Sequence, residues 1–343
     1  MKLNRRSALS FGGVAAATAI GASVATQAHA APAEEAAPAT RNPVARVAAV
    51  YAREVAKAQG TWSSLITVGD TTAVENLADT VVEAYSVNKL GVATAVLDKI
   101  DRGLLTLDQR VDVTAAIIIQ DIDGIFALDG AYPSSITLGH AMANLLTVSD
   151  NTAVRLCGLV CPALELNQIL RDKGFVHTQV VPVSNPNRFY LGQTTARETH
   201  TLLTKLVAGE LLSPSSTAYL LNVIRSTSAF TDGIRLKLTT PERLRVATKA
   251  GWENDGRNEA GIVFAADGTP GAIYSLFATG PFSGDAAANL DDFGAPHPAM
   301  RARQALGRTL YDVVDAADTT TTPSAKAALP KYPAPPIVHT NGG

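Results

Sequence analysis

The segment from Ser86 to Arg102 reads as a helix that only the middle of a fold can hold. Leu90, Ala93, Val96, Leu97 and Ile100 form its buried set, and Gly103 stops it after Asp101-Arg102. A helix this apolar needs packed neighbours on several sides, so the chain must build a body around it. Its first turn is polar: Ser86-Val87-Asn88-Lys89, preceded by Tyr85. Residues three apart share a helix face, so the Ser86 hydroxyl and the Lys89 amine can meet there. A serine becomes a nucleophile when a base takes its proton, and a lysine with a lowered pKa can be that base. The positive end of the helix dipole favours negative charge developing beside Ser86. Alone, a Ser three residues before a Lys equally describes a solvated helix start.

The neighbouring segments supply partners. Asn42 to Gln59 has helical spacing (Val44, Val47, Ala48, Tyr51, Val55, Ala58), and Trp62 to Val68 reads as a strand leaving through Gly69-Asp70. Val74 to Val82 is irregular or a short strand, Leu104 to Val113 is a connection, and Ala115 to Tyr132 has no clear pattern. A second apolar helix covers Ile136 to Thr147 and stops at Val148-Ser149-Asp150-Asn151, before a third that starts at Thr152. That polar triplet between two apolar helices either points into a cleft or caps the next helix. Lys173 to Arg197 has little pattern and contains no Asp or Glu. Helices follow at Glu198 to Gly209 and Thr217 to Thr227. Leu244 to Lys249, Gly261 to Ala266 and Ala272 to Thr279 read as antiparallel strands, and Pro298 to Val314 as a closing helix. Strands at both ends with helices between predict an α+β fold: an antiparallel sheet formed by the chain ends, plus an all-helical subdomain.

The termini stand apart from this domain, residues 42–314. Residues 1–30 read as a twin-arginine signal peptide: Arg5-Arg6, an apolar stretch from Leu9 to Val24, and Ala28-His29-Ala30 as a cleavage site. Residues 31–41 read as a disordered linker. Residues 315–343, with Thr319 to Thr322 in a row and five prolines, read as a disordered tail. The expectation is a secreted or cell-envelope protein, acting as a monomer, with no stable membrane span once the signal is removed. The 343 residues are 46% hydrophobic, enough for one large domain or two intimate subdomains, and the net charge of −2 gives no basic surplus for nucleic acid. No nucleotide or metal motif occurs, the six histidines are scattered, and no cofactor is expected. The two cysteines, Cys157 and Cys161, stand four apart; export permits a bridge, but helical spacing disfavours one and two buried thiols are the plainer reading.

Lys249-Ala250-Gly251 closes one of the C-terminal strands. Ser86-x-x-Lys89, Ser149-Asp150-Asn151 and Lys249-Ala250-Gly251 follow one another at intervals of 63 and 100 residues. In that order the chain resembles the serine β-lactamase and penicillin-binding protein superfamily, most of all its class A branch. Ile100 to Asp108, Ser149 to Ala153 and Gly209 to Leu212 add to the resemblance, which covers Val44 to Val314. It implies acyl transfer with Ser86 as nucleophile and Lys89 as its base. Ser149 would pass a proton to the leaving nitrogen, and Lys249 would supply positive charge. Asn151 and the Ala250-Gly251-Trp252 edge would bind substrate, with the amides of Ser86 and Trp252 as an oxyanion hole. Arg235, 14 residues before Lys249, resembles a carboxylate-binding arginine of some relatives; an ordinary surface arginine is the other reading.

Two departures qualify the resemblance. Ala250 stands where the family has Thr or Ser, removing a hydroxyl that would bind the substrate carboxylate, a loss of about 1.5–3 kcal/mol if nothing replaces it. The acid that class A enzymes use to activate the deacylating water is also missing: Asn185 or Asn187 falls in its place. Glu165 and Glu198 lie outside that loop. The expectation is a serine hydrolase acylated at Ser86 by a β-lactam or a related amide or ester, with impaired deacylation. A D-alanyl-D-alanine carboxypeptidase and a non-catalytic binding protein on the same scaffold are the alternatives.

Overall fold

A computed structural model describes residues 42–120, 124–230, 233–318 and 329–337. The expected twin-arginine signal peptide and the expected 31–41 linker lie outside the described residues, as do 319–328 and 338–343 of the tail. In chain order the elements begin α1 (Pro43–Ala58), β1 (Gln59–Val68), β2 (Thr71–Asn76) and β3 (Val82–Glu83). A 3-10 turn (Tyr85–Asn88) leads into α2 (Lys89–Asp101), then β4 (Arg110–Val113), α3 (Phe126–Asp129), β5 (Ser134–Thr137) and α4 (Leu138–Thr147). Next come α5 (Asn151–Val160), α6 (Ala163–Asp172), β6 (Gln179–Pro182), β7 (Phe189–Thr194), α7 (Ala196–Ala208) and α8 (Pro214–Arg225). The chain closes with α9 (Thr240–Arg243), β8 (Val246–Glu253), β9 (Gly256–Phe264), β10 (Pro270–Phe282), α10 (Ala286–Asp291) and α11 (Pro298–Asp318).

Five antiparallel strands in the order β2-β1-β10-β9-β8 form the main sheet, so strands from the two ends of the domain meet at β1 and β10. Alternation along each strand sorts side chains to two faces. Trp62 and Ile66 of β1 and Tyr274, Leu276 and Ala278 of β10 pack with α1 and α11. Leu65, Ile273, Phe277, Ile262 and Phe264 pack instead with the helices of the central segment. Within that helical layer, every residue of α2 from Lys89 to Leu97 is buried, as an apolar helix requires.

Three segments take a form that the sequence reading did not assign. The segment Lys173 to Arg197 is ordered: β6 and β7 form a hairpin, and β7 also pairs with β3. The segment Ala115 to Tyr132 contributes the short α3, and β5 that follows it pairs with β4. The tail is not uniformly free. α11 runs on to Asp318, and Tyr332 is seated on the β9–β10 turn. Its amide donates to Gly268 O (2.8 Å), its hydroxyl to Val207 O (3.2 Å), and Arg225 Nη1 donates to its carbonyl (2.7 Å). The Tyr332 ring meets Phe264 edge-on, and Lys331 pairs with Asp267. Gly268 has φ +87, and a Cβ there would collide with the backbone of Tyr332 and Pro333, so the turn is shaped to receive the segment.

Candidate active site

Ser86 sits in the 3-10 turn rather than in the first turn of an α-helix, and α2 begins at Lys89. In 3-10 geometry residues i and i+3 eclipse, so the Ser-x-x-Lys spacing stacks the two side chains still more directly. The preceding Tyr85 has φ 48, a left-handed conformation that costs a bulky residue of order 1 kcal/mol or more. Its ring lies over Gly256, where a Cβ would clash with it.

Lys89 is fully buried, and a buried ammonium must be hydrogen-bonded. Its Nζ donates to Ser149 Oγ (3.0 Å), to Asn151 Oδ1 (2.7 Å) and to the Ser149 carbonyl. Lys249, also buried, donates from Nζ to the same Ser149 Oγ (3.1 Å) and to Ala250 O (2.5 Å), with the Phe230 ring 5.5 Å away. One hydroxyl is thus held between two lysines from different segments. Asp150 faces elsewhere. Its Oδ2 accepts from the amides of Ile125 (2.6 Å) and Phe126 (2.9 Å), and its Oδ1 from Ala153 N (3.0 Å). Both readings of the triplet therefore hold at once: Asp150 caps α5, while Ser149, with φ 58, and Asn151 face Lys89.

The edge strand β8 passes directly behind the serine. A Cβ on Gly251 would lie 2.6 Å from the amide nitrogens of both Ser86 and Val87, so only glycine permits this approach. Ala250 is buried, and Trp252 stacks on Phe293 with ring centroids 4.3 Å apart. Ser86, Asn151 and Trp252 line a cleft of about 900 Å³. Arg235 does not line it, which corrects both sequence readings of that residue. It is fully buried, and its guanidinium donates to backbone carbonyls, most closely Ser226 O (2.9 Å) and Arg225 O (3.3 Å). Burial pushes its pKa down to about 10. It fixes the turn that carries Phe230.

The opposite wall is the β6–β7 hairpin, fastened on both sides of the nucleophile. Ala84 N donates to Gly192 O (2.9 Å), and Asn88 Nδ2 donates to Leu191 O (2.6 Å) and Gln193 O (2.9 Å). Asn88 was not singled out from sequence. An amide on the first turn of a helix destined for the core was the available signal, since a buried amide must find partners. Carboxylates do reach the cleft, but from elsewhere: Glu83 on β3, Glu253 on β8 and Asp291 on α10. The half-buried Tyr85 phenol has a raised pKa, first by burial and then by Asp255, Glu83 and Glu253. Glu165 is paired with Lys99 (2.7 Å), and Glu198 accepts from Thr178 Oγ1 and Thr178 N (both 2.7 Å), so neither is aimed at Ser86.

Cys157 and Cys161 are free buried thiols, both pushed up to about 12 by burial. Among the described residues, no group of three or more His, Cys, Asp or Glu is placed to hold a metal ion, and no single helix is long and apolar enough to cross a membrane.

Solved structures share this fold. A beta lactamase from Xanthomonas campestris pv. campestris superposes with a TM-score of 0.66 at 19% identity, over 80% of this chain and all of that one. A class A representative from Bacteroides cellulosilyticus does so at 0.65 and 18%, over 81% of this chain and all of its own. PBP-A, as a point mutant in an acyl-enzyme complex with penicillin G, gives 0.62 at 21%, over 78% of this chain and 95% of that one. These identities establish the fold alone. No curated protein matches the sequence. The profile of the beta-lactamase enzyme family matches residues 44–314, the whole span that builds the sheet, the helical layer and the paired lysines, and the chain belongs to that family.

Proposed function

We propose that Ser86 attacks the carbonyl of a β-lactam or a related amide or ester, and that the resulting acyl-enzyme is released slowly. The observation that carries this reading is the Ser149 hydroxyl held 3.0 Å from Lys89 Nζ and 3.1 Å from Lys249 Nζ. In the forward step Ser86 Oγ bonds to the carbonyl carbon and its proton passes to Lys89, whose ammonium must first lose a proton to act as the base. The oxyanion is received by the amides of Ser86 and Trp252, whose strand Gly251 holds against the serine. The C–N bond then breaks as Ser149 gives its proton to the leaving nitrogen, and is reprotonated from the lysines beside it.

Deacylation needs a base for water. The hairpin wall offers amides and apolar side chains at the corresponding positions, and an amide is no general base near neutral pH. The acids that line the cleft sit on β3, β8 and α10 instead. PBP-A, of the same fold, has been captured as a penicillin G acyl-enzyme, which supports penicillins as probes. The Arg5-Arg6 pair before the apolar stretch Leu9 to Val24, read as an export signal, supports action outside the cytoplasm.

Intact-protein mass spectrometry after incubation with a fluorescent penicillin tests the reading. A one-to-one adduct that persists for many minutes, and is absent from Ser86→Ala, is expected. Absence of both adduct and lactam hydrolysis in the wild type would overturn acylation; rapid hydrolysis would overturn slow release.

A further inference from the structure

We infer that Asn88 is a positioning residue for acylation: it fastens the turn bearing Ser86 and Lys89 to both strands of the β6–β7 hairpin, and so fixes where the nucleophile stands. The inference rests on the reading of Ser86 as the acylated residue. Asn88 is buried and holds the N-cap position of α2, where an asparagine ordinarily bonds the amides of its own helix. Its Nδ2 is instead directed across to the hairpin. It donates to Leu191 O (2.6 Å) and Gln193 O (2.9 Å) of β7 and faces Gln179 O of β6 at 3.5 Å.

The hairpin is bulged at this place. Gln179 pairs with Gln193 and Val181 with Tyr190, so Val180 stands opposite both Leu191 and Gly192. A bulge interrupts the ladder, and its buried backbone groups must find other partners. Two asparagines serve them. Asn167 of α6 bonds both the amide and the carbonyl of Val180 (2.8 Å each). Asn88 takes the carbonyls on the β7 side, with Ala84 N donating to Gly192 O between them (2.9 Å). Asn167 ties the hairpin to α6, whereas Asn88 ties it to the turn of the nucleophile. On its other side that turn is pressed by β8, where a Cβ on Gly251 would lie 2.6 Å from Ser86 N and Val87 N. Tyr85, at φ 48, is in a strained conformation, and strain persists only where the surroundings over-determine it. Asn88 and β8 hold the turn from opposite sides. The amine of Lys89 is anchored separately, on Ser149 Oγ (3.0 Å) and Asn151 Oδ1 (2.7 Å). A turn freed on the hairpin side would carry Ser86 away from an amine that stays where it is.

Acylation of the full chain by penicillin G tests this. Single-turnover mass spectrometry over a range of concentrations separates the maximal rate from the half-saturating concentration, and equilibrium binding is measured on Ser86→Ala with and without the Asn88 substitution. Asn88→Ala should lower the maximal rate at least about tenfold, while half-saturation and binding stay within about threefold, the pattern of a reacting group displaced from a substrate still bound. Asn167→Ala removes two bonds from the same hairpin without touching the turn, and should keep the parent's maximal rate. Thermal melts accompany each variant. Should the alanine chain not fold, Asn88→Ser, which keeps one shorter donor, is held to the same criteria. A parent-like maximal rate in the Asn88 variant, an equal loss in Asn167→Ala, or a loss confined to half-saturation and binding would overturn the positioning role and leave the acyl-enzyme reading standing. A parent chain that is not acylated at all would overturn that reading and this inference with it.

Discussion

Ser149 shows how a single residue can be legible in role and illegible in setting. The sequence order predicted that it, Ser86, Lys89, Asn151 and Lys249 would meet, and the structure joins Lys89 to Ser149 and Asn151, and Lys249 to Ser149. That both lysines would converge on one hydroxyl depends on where β8 passes α2, which no local pattern encodes. Arg235 failed for the same reason. Counting back from Lys249 located the residue, but the carbonyls of the 225–230 turn decide where its guanidinium goes. Gly251 provides the sharpest residue-scale test. A methyl placed 2.6 Å from the Ser86 and Val87 amides must push β8 away from the serine. Gly251→Ala is expected to slow acylation about 100-fold, the effect of a displacement near 1 Å at a reacting group. Acylation by penicillin, followed beside a thermal melt, checks it; unchanged acylation would show that the close approach has no catalytic consequence.

Among the elements, the β6–β7 hairpin was the least legible. Pro182, Pro186 and Gly192 interrupt any period, and β7 pairs with a strand of only two residues, so register is set by tertiary bonds such as those from Asn88 and Ala84 rather than by alternation. The absence of acid in it, by contrast, was plain from composition. Because Leu191 lines the cleft with Ser86, the wall can be given what it lacks. Leu191→Glu should shorten the lifetime of the penicillin adduct at least about tenfold, within the range of general-base catalysis, read as loss of adduct and gain of lactam hydrolysis. An adduct equally long-lived would mean that water, not a base, is what the wall withholds.

For the whole molecule, the sheet joining both chain ends was readable because its strands are short apolar runs bounded by turns such as Gly69-Asp70 and Asp267-Gly268. The docking of 329–337 was not, since four prolines at 330, 333, 335 and 336 erase any period and one aromatic, Tyr332, provides the ring anchor. Two buried histidines tie global stability to pH. His200 on α7 bonds Thr67 Oγ1 of β1 (3.1 Å), and His297 Nδ1 accepts from Ala299 N (3.1 Å) at the start of α11. Burial lowers each from 6.5 to about 4. Below pH 6.5 the unfolded chain binds protons that the folded chain refuses. Their stabilisation is therefore complete above 6.5 and is lost as pH falls towards 4, by up to about 1.4 kcal/mol per pH unit for each. Urea unfolding from pH 7.5 to 4 should show this slope, and His200→Gln should flatten it; an identical slope in the variant would exclude His200 as its source.

The pairing of β1 with β10 sets Trp62 opposite Ala278. An element made in the first quarter of synthesis has no neighbour on that side until the last quarter has left the ribosome. The nascent chain must carry β1 with an open edge for most of its translation, a long exposure to wrong partners. Completion of the sheet is consequently a post-synthetic event, and any transporter that accepts only folded cargo would have to wait for it.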